Sequence, residues 1–309
     1  MKPMKLLLID GHYYAYRSFF AIQSLSNSKG EPTNAIYGFV KTIRRMIKDL
    51  RPDLGAVVWD EGLPTRRTDL QPAYKQQRAE MPDLLRPQLR CIQEELTEMM
   101  GFHSISSPDT EADDLMASYT VAARALDHDV VLATNDKDLF QLVNDHVKVY
   151  STNKTDLANP KDTHALLGEE AVLKKWGVAP PQIGDILALI GDSVDNIPGV
   201  PGLGPKGATA LVTAHGSVEK ILANLEAITK DSLREKLAAA RDQINQNREM
   251  VRLDLDLPLP VAVGDLRITP RHLDLITALQ RCEFKSLLEE IRTEAASLST
   301  VQTTQGELF

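Results

Sequence analysis

Cysteine is nearly missing from this 309-residue chain, which holds Cys91 and Cys282 and no others. Both stand in helix-like segments without metal-ligand spacing, so a disulfide framework is excluded and the two read as packing residues. A basic surplus is missing too. The formal charge of −8 argues against a protein that holds nucleic acid by bulk electrostatics, although acids gathered around divalent cations would hide a locally basic surface in the sum. Long apolar runs are also absent. Residues 1 to 10 reach a charge before they can build the core of a signal peptide, and no run approaches membrane-spanning length. The expectation is a cytoplasmic, monomeric protein without a membrane partner. At 43% hydrophobic and 25% charged, the composition is globular, with room for one large domain or two small ones.

What is present alternates. Lys5 to Ile9, Ala56 to Trp59 and Val130 to Thr134 are short apolar runs suited to strands buried on both faces of a parallel sheet. Helical patterns separate them. Asn34 to Leu50 places Ile36, Phe39, Val40, Ile43, Ile47 and Leu50 on one face, and Gln88 to Met100 carries Leu89, Ile92, Leu96 and Met99 before stopping at Gly101. The fold class is therefore α/β, a central parallel sheet with helices on both faces and right-handed crossovers.

Each of the three strands runs into acid, at Asp10, at Asp60, and at Asp136 and Asp138. Ligands of open α/β sheets bind beyond the carboxyl ends of the strands, so these four should converge. Pro108-Asp-Thr-Glu111-Ala-Asp113-Asp114 opens a further helix, with Ser106, Ser107 and Asp109 as candidate N-caps. Acid there complements the helix dipole at about 0.3–1 kcal/mol each, and for an isolated cluster that bland account would serve. Glu111 and Asp114 share a face, while Asp113 points away unless the first turn is irregular. Asp192 and Asp195, again three apart, bring the set to nine. Nine like charges cannot share a crevice without cations, and oxygen-only ligation selects hard ions such as Mg²⁺ or Mn²⁺. Two ions about 3.5–4 Å apart would match the arrangement used in phosphodiester hydrolysis.

From about Val178 the strand signal stops, and residues 183 to 224 read as helix, glycine-rich hairpin, helix. Pro205 suits a first helical position, and a helix N-terminus approached through small residues is an anion site to which Lys206 adds charge. Residues 254 to 263 read as an extended, proline-interrupted exception, and the tail from Ala295 to Gln305, rich in Ser, Thr and Gln, carries no core pattern and is expected to be flexible, as part of a tail over 295–309.

Leu-Leu-Ile-Asp10-Gly-His-Tyr-Tyr-Ala-Tyr16-Arg17, Asn34-Ala-Ile-Tyr-Gly-Phe, Tyr74-Lys75-Gln-Gln-Arg78, Glu111-Ala-Asp113-Asp114, Asn135-Asp136-Lys-Asp138-Leu and the run from Gly191 to Lys206 occur in collinear order. Together they resemble the 5′-nuclease (flap endonuclease) family, and above all the 5′→3′ exonuclease domain of bacterial DNA polymerase I. The resemblance implies a PIN-like nuclease core over residues 1–177 with a helical arch at about 70–100, and a helix-hairpin-helix DNA-binding region over 178–294. It places Asp10, Asp60, Glu111, Asp113 and Asp114 around one metal ion and Asp136, Asp138, Asp192 and Asp195 around the other. Lys75 and Arg78 fall on the arch, where they would neutralise the scissile phosphate; as bare sequence they would be a solvated basic face. Gly202, Gly204, Lys206 and Gly207 belong to the hairpin that grips duplex phosphates, often with a monovalent cation such as K⁺. Tyr13 would stack on a base and Arg17 meet a phosphate, with Tyr16 in the core. At Pro64-Thr-Arg66-Arg67 the chain departs from relatives that carry an aromatic before the arginine; Arg67 takes the family's DNA-binding position, and Arg66 is either a second contact or merely exposed.

The implied activity is structure-specific hydrolysis of DNA at 5′ flaps, nicks and 5′ ends, in primer removal, replication and repair, by a nucleoid-associated protein. A non-catalytic junction-binding scaffold and an RNA-processing nuclease are the alternatives. No polymerase domain follows, so both a free-standing nuclease and a piece of a longer protein stay open. Gln305, Leu308 and Phe309, in the tail 295–309, resemble a bacterial sliding-clamp-binding peptide, with chance as the competing explanation.

Overall fold

A computed structural model of the chain describes residues 2–159 and 161–306. Contacts divide it into two compact units, one of residues 2–59, 81–105 and the segment from Val261, the other of residues 60–80 and 106–260. No helix among the described residues is long and apolar enough to cross a membrane.

In the first unit β1 (Lys5–Asp10), β2 (Leu54–Val58) and β3 (His103–Ile105) run parallel, with Leu6 opposite Leu54, Asp10 opposite Val58 and Ala56 opposite His103. Leu6, Leu7, Leu8 and Ile9 are all fully buried, as a run without alternation requires. Helices α1 (Gly11–Ala21) and α2 (Asn34–Leu50) pack on each other, and Phe39, Val40, Ile43 and Met46 of α2 are inaccessible. The sequence pattern over Gln88–Met100 corresponds to a helix that begins at Arg86 and widens into a π turn at Ile92–Leu96. There the Thr97 hydroxyl donates to the Ile92 carbonyl at 2.8 Å, occupying the extra turn width. The segment stops at Gly101, whose φ of 91° and close approach to the Thr269–Pro270 backbone both demand the absence of a side chain. Residues 295–306, read from the sequence as a polar tail, continue the last helix, Lys285–Gly306. The backbone of Gln305 belongs to it; Leu308 and Phe309 lie outside the described residues.

The second unit carries α3 (Thr65–Leu70), α4 (Ala112–Ala125), β4 (Asp129–Ala133), β5 (Val147–Ser151) parallel to β4, and β6 (Ala165–Leu167) antiparallel to β5. Its helical part follows: α5 (Ile183–Ile190), a short ribbon pairing Gly191–Asp192 with Ile197–Pro198, α6 (Pro205–His215), α7 (Asp231–Ala239) and α8 (Arg241–Val251). Helices α5 and α8 pack together, and buried Asn247 donates to the Ala188 carbonyl at 2.9 Å and the Pro198 carbonyl at 2.7 Å. One amide thus ties α8 to α5 and to the ribbon. Gly191, with φ of 70°, lets the ribbon fold back, since a Cβ there would overlap the Ile197 carbonyl.

Candidate metal centre

Helix α4 starts later than its capping residues suggest. Asp109 is left-handed (φ 53°), and the Glu61 N–H donates to the Thr110 carbonyl at 3.0 Å, which holds the approach extended. Glu111 therefore takes the N-cap position, with φ −86° and ψ 149°, and none of Ser106, Ser107 and Asp109 does. The Asp60 carboxylate accepts from the Ala112 N–H at 2.8 Å, capping the helix from β2's end of the chain. With Glu111 extended at the N-cap it lies outside the helical turn, so the three-residue spacing to Asp114 does not set the cluster, and Asp113 does not point away. Glu111, Asp113 and Asp114 bring carboxylate oxygens within 4.8 Å of one another, and Asp113 also forms such a group with Asp136 and Asp138. Asp113 is the member common to both groups.

Asp136 and Asp138 follow β4, where the Asp138 N–H donates to the Asp136 carboxylate at 2.9 Å and the Asp136 N–H to the Thr134 hydroxyl at 3.0 Å. Burial pushes the carboxyls of Asp113 and Asp138 well above the usual carboxylate range, and Asp114 and Asp136 respectively add repulsion. Among the described residues no protein cation lies within 4 Å of Asp136 or Asp138.

Glu111, Asp114, Asp192 and Asp195 hold cations, and Asp113 lies 3.8 Å from Arg67. Arg67, fully buried, forks onto Asp114 at 2.7 and 2.9 Å, also meets Glu111, and donates to the Met250 carbonyl at 2.9 Å and the Arg252 carbonyl at 3.1 Å. The Asp254 N–H gives Asp114 a third bond, to Oδ1 at 2.9 Å, so its lone pairs are largely committed. Burial would lower the Arg67 pKa, yet Asp113, Asp114 and Glu111 outweigh it and hold the group charged. Its position therefore differs from the expected surface contact: the guanidinium faces acids and carbonyls inside the unit. Lys75 meets Glu111 and lies 3.8 Å from Asp195; burial opposes its charge, but Glu111 leads the acids that push it up to about 12. Arg78 donates to Asp195 at 2.8 Å and is half-exposed. The turns at Tyr74–Arg78 carry these side chains down onto the acids, with Lys75 left-handed (φ 56°) and its N–H on the Asp195 carbonyl.

Two participants gave little sequence signal. Lys137 pairs with Asp192 at 2.7 Å, and Tyr74 donates to Glu111 at 3.2 Å. Lys137 stands between two acids of the Asn-Asp-Lys-Asp motif, and that charge reversal is the mark that would have flagged it.

In the first unit Asp10 ends β1 and caps α1, accepting from the Tyr13 N–H at 2.9 Å. Exposed Arg17 donates to the Tyr13 hydroxyl at 3.0 Å. Tyr16 is only half-buried; Tyr14, 1% exposed, takes the core place expected for it, since α1 turns the 14 position inward. In the second unit α6 begins at Pro205 after Gly204, Gly202 is left-handed (φ 76°), and Lys206 is exposed. Gly207 packs against Leu203.

The residues fit hard divalent cations: the donors are carboxylate oxygens alone, burial and then mutual repulsion raise the pKa values of Asp113 and Asp138, and among the described residues no protein cation is in direct contact with Asp136 or Asp138.

Two family models match, the 5′-3′ exonuclease N-terminal resolvase-like domain over residues 5–177 and the 5′-3′ exonuclease C-terminal SAM fold over 178–274. The chain is 39% identical over 287 residues to a 5′-3′ exonuclease of Aquifex aeolicus, covering 93% of this chain and 94% of that protein. It is 38% identical over 286 residues to the thermostable DNA polymerase I of Thermus thermophilus, of whose length it spans only 33%. Among solved structures, the T5 D15 protein co-crystallised with metal ions superposes with a TM-score of 0.66 at 21% identity, over 95% of this chain and 98% of that one. The catalytic core of Rad2 in complex with DNA substrate gives 0.58 at 16% identity, over 93% and 91%; both show likeness of fold. With family models spanning most of its length and a full-length relative close to 40% identical, the chain belongs to the 5′-3′ exonuclease family.

Proposed function

We propose that this nuclease hydrolyses phosphodiesters of DNA at 5′ flaps, nicks and 5′ ends, leaving 5′-phosphate and 3′-hydroxyl ends. The observation that carries the reading is the pair of carboxylate groups joined at Asp113. One group is Glu111, Asp113 and Asp114; the other is Asp113, Asp136 and Asp138. Asp60, Asp192 and Asp195 of the same unit are assigned to the set with them, and Asp10 is assigned to it on the sequence resemblance alone. Bound there, two Mg²⁺ or Mn²⁺ ions would stabilise the charge on the attacking and leaving oxygens.

The protein's own groups do the rest. Lys75 and Arg78 carry positive charge on a turn segment and would pass it from the acids to the scissile phosphate. Arg67 and Tyr74 fix the Glu111 and Asp114 carboxylates through donors that are already satisfied. The hairpin of Gly202, Gly204, Lys206 and Gly207 would hold duplex phosphates, with K⁺ as its cation, and Tyr13 and Arg17 would meet the junction. Two structural neighbours, a flap endonuclease with DNA and metal ions and Rad2 with DNA substrate, support DNA as substrate. Gln305, Leu308 and Phe309 are proposed as a clamp-binding peptide on sequence grounds; an unchanged clamp affinity in Leu308→Ala/Phe309→Ala would remove that part. The test of the main reading is cleavage of labelled free flaps, blocked flaps and nicked duplexes of DNA and RNA, with Mg²⁺ and with Mn²⁺. Cutting near the DNA junction is expected, and binding without cutting would favour a scaffold.

A further inference from the structure

A cavity of about 650 Å³ lies between the glycine hairpin and α7. Lys206 lines it from the hairpin side, and Lys230, Ser232 and Lys236 line it from α7 and the residue before it. All three lysines are exposed, and none forms an ion pair among the described residues. The lining holds no carboxylate. The Lys236 ammonium reaches over the loop backbone to within 2.9 Å of where a Gly202 Cβ would stand. Gly202 is bare because its φ of 76° is left-handed; the flexible lysine end would move aside for a side chain.

Three unpaired ammonium groups around one concavity repel each other, and in a chain of net charge −8 an acid facing them would have been an easy remedy. Their arrangement suits an anion that arrives from outside. The lining carries no aromatic ring on which a splayed base could stack, and no Arg, Asn or Gln to read base edges. What remains is lysine as a point charge and a hydroxyl donor, the chemistry of sequence-independent phosphate contacts.

We propose that Lys230, Ser232 and Lys236 form a second phosphate-binding edge facing the hairpin, so that a duplex backbone is gripped between Lys206 and α7. This rests on the DNA-cleaving reading above and adds a site outside the hairpin itself.

The test is a salt titration of binding by the full chain, with Ca²⁺ in place of Mg²⁺, on a nicked duplex and on single-stranded DNA of the same length. Removing two phosphate contacts in Lys230→Ala/Lys236→Ala lowers the slope of log Kd against log salt by roughly 1.8. Duplex affinity falls about 10-fold or more at 150 mM salt, single-strand affinity changes little, and single-turnover cleavage at saturating DNA keeps its rate. Lys230→Arg/Lys236→Arg retains the wild-type slope, and Lys174→Ala, an exposed lysine of the same unit, behaves as wild type. An unchanged slope in the double alanine variant, or an equal loss on single strands, overturns the inference while leaving a wild type that binds and cuts duplex DNA intact. A wild type that binds no duplex overturns the functional reading and this inference together.

Discussion

Arg67 shows how far a single residue's chemistry can depart from its type. Arginine is a surface residue by default, and nothing in Pro64-Thr-Arg66-Arg67 marks the second arginine for the interior, yet its guanidinium is inaccessible and every donor direction faces an acid or a carbonyl. Removing it would leave the buried Asp114 carboxylate without a cation and Glu111 with Lys75 alone. Arg67→Ala should therefore cost roughly 3–5 kcal/mol in urea unfolding, and a loss below about 1 kcal/mol would mean the acids relax without it. The cysteines offer a second residue-scale check. Burial, with Cys91 adding to it, pushes the Cys282 thiol up to about 11, above the ordinary thiol value. With the folded value raised, its stabilising contribution is complete below the unfolded value and is lost as pH rises through about 11. At pH 8 the thiolate fraction is small, so iodoacetamide should label Cys282 at least about 100-fold more slowly than a small thiol; comparable rates would contradict the burial.

Among elements, those the sequence showed clearly were the ones with a full period to display. The apolar run of β1 and the spacing of α2 carry enough residues to specify strand and helix, and both formed where expected. The short strands β3 and β6 have three residues each and no pattern of their own; pairing to a neighbour makes them strands. The start of α4 was legible as acid but not as geometry, because its register is set by the left-handed Asp109 and by Asp60 on the Ala112 N–H, partners about 50 residues apart. That is also why Asp113 reaches both carboxylate groups. If cations relieve the crowding there, residues 108–118 should exchange amide hydrogens more slowly with Mg²⁺ than without. Unchanged protection would count against cation binding at this helix start.

For the whole molecule, the acids, the hairpin and the alternation of strands and helices were readable because they depend on residue type at fixed spacing. What could not be read was which charges meet: Lys75 on Glu111, Lys137 on Asp192 and Arg67 on Asp114 join residues 36 to 55 positions apart. A chain of net charge −8 that grips a polyanion must also keep its basic surfaces apart from its acids, and the unpaired lysines at α7 fit that division. The central claim, that the carboxylates joined at Asp113 form a cation-dependent phosphodiester-cleaving site, is tested most directly on a 5′-labelled flap. With Mg²⁺ the wild type should release a short labelled product and leave a 5′-phosphate at the junction, with no cutting in EDTA. Asp138→Asn should lower that rate by at least about 100-fold while its thermal unfolding stays close to wild type. A variant that cuts the flap at the wild-type rate would contradict the account.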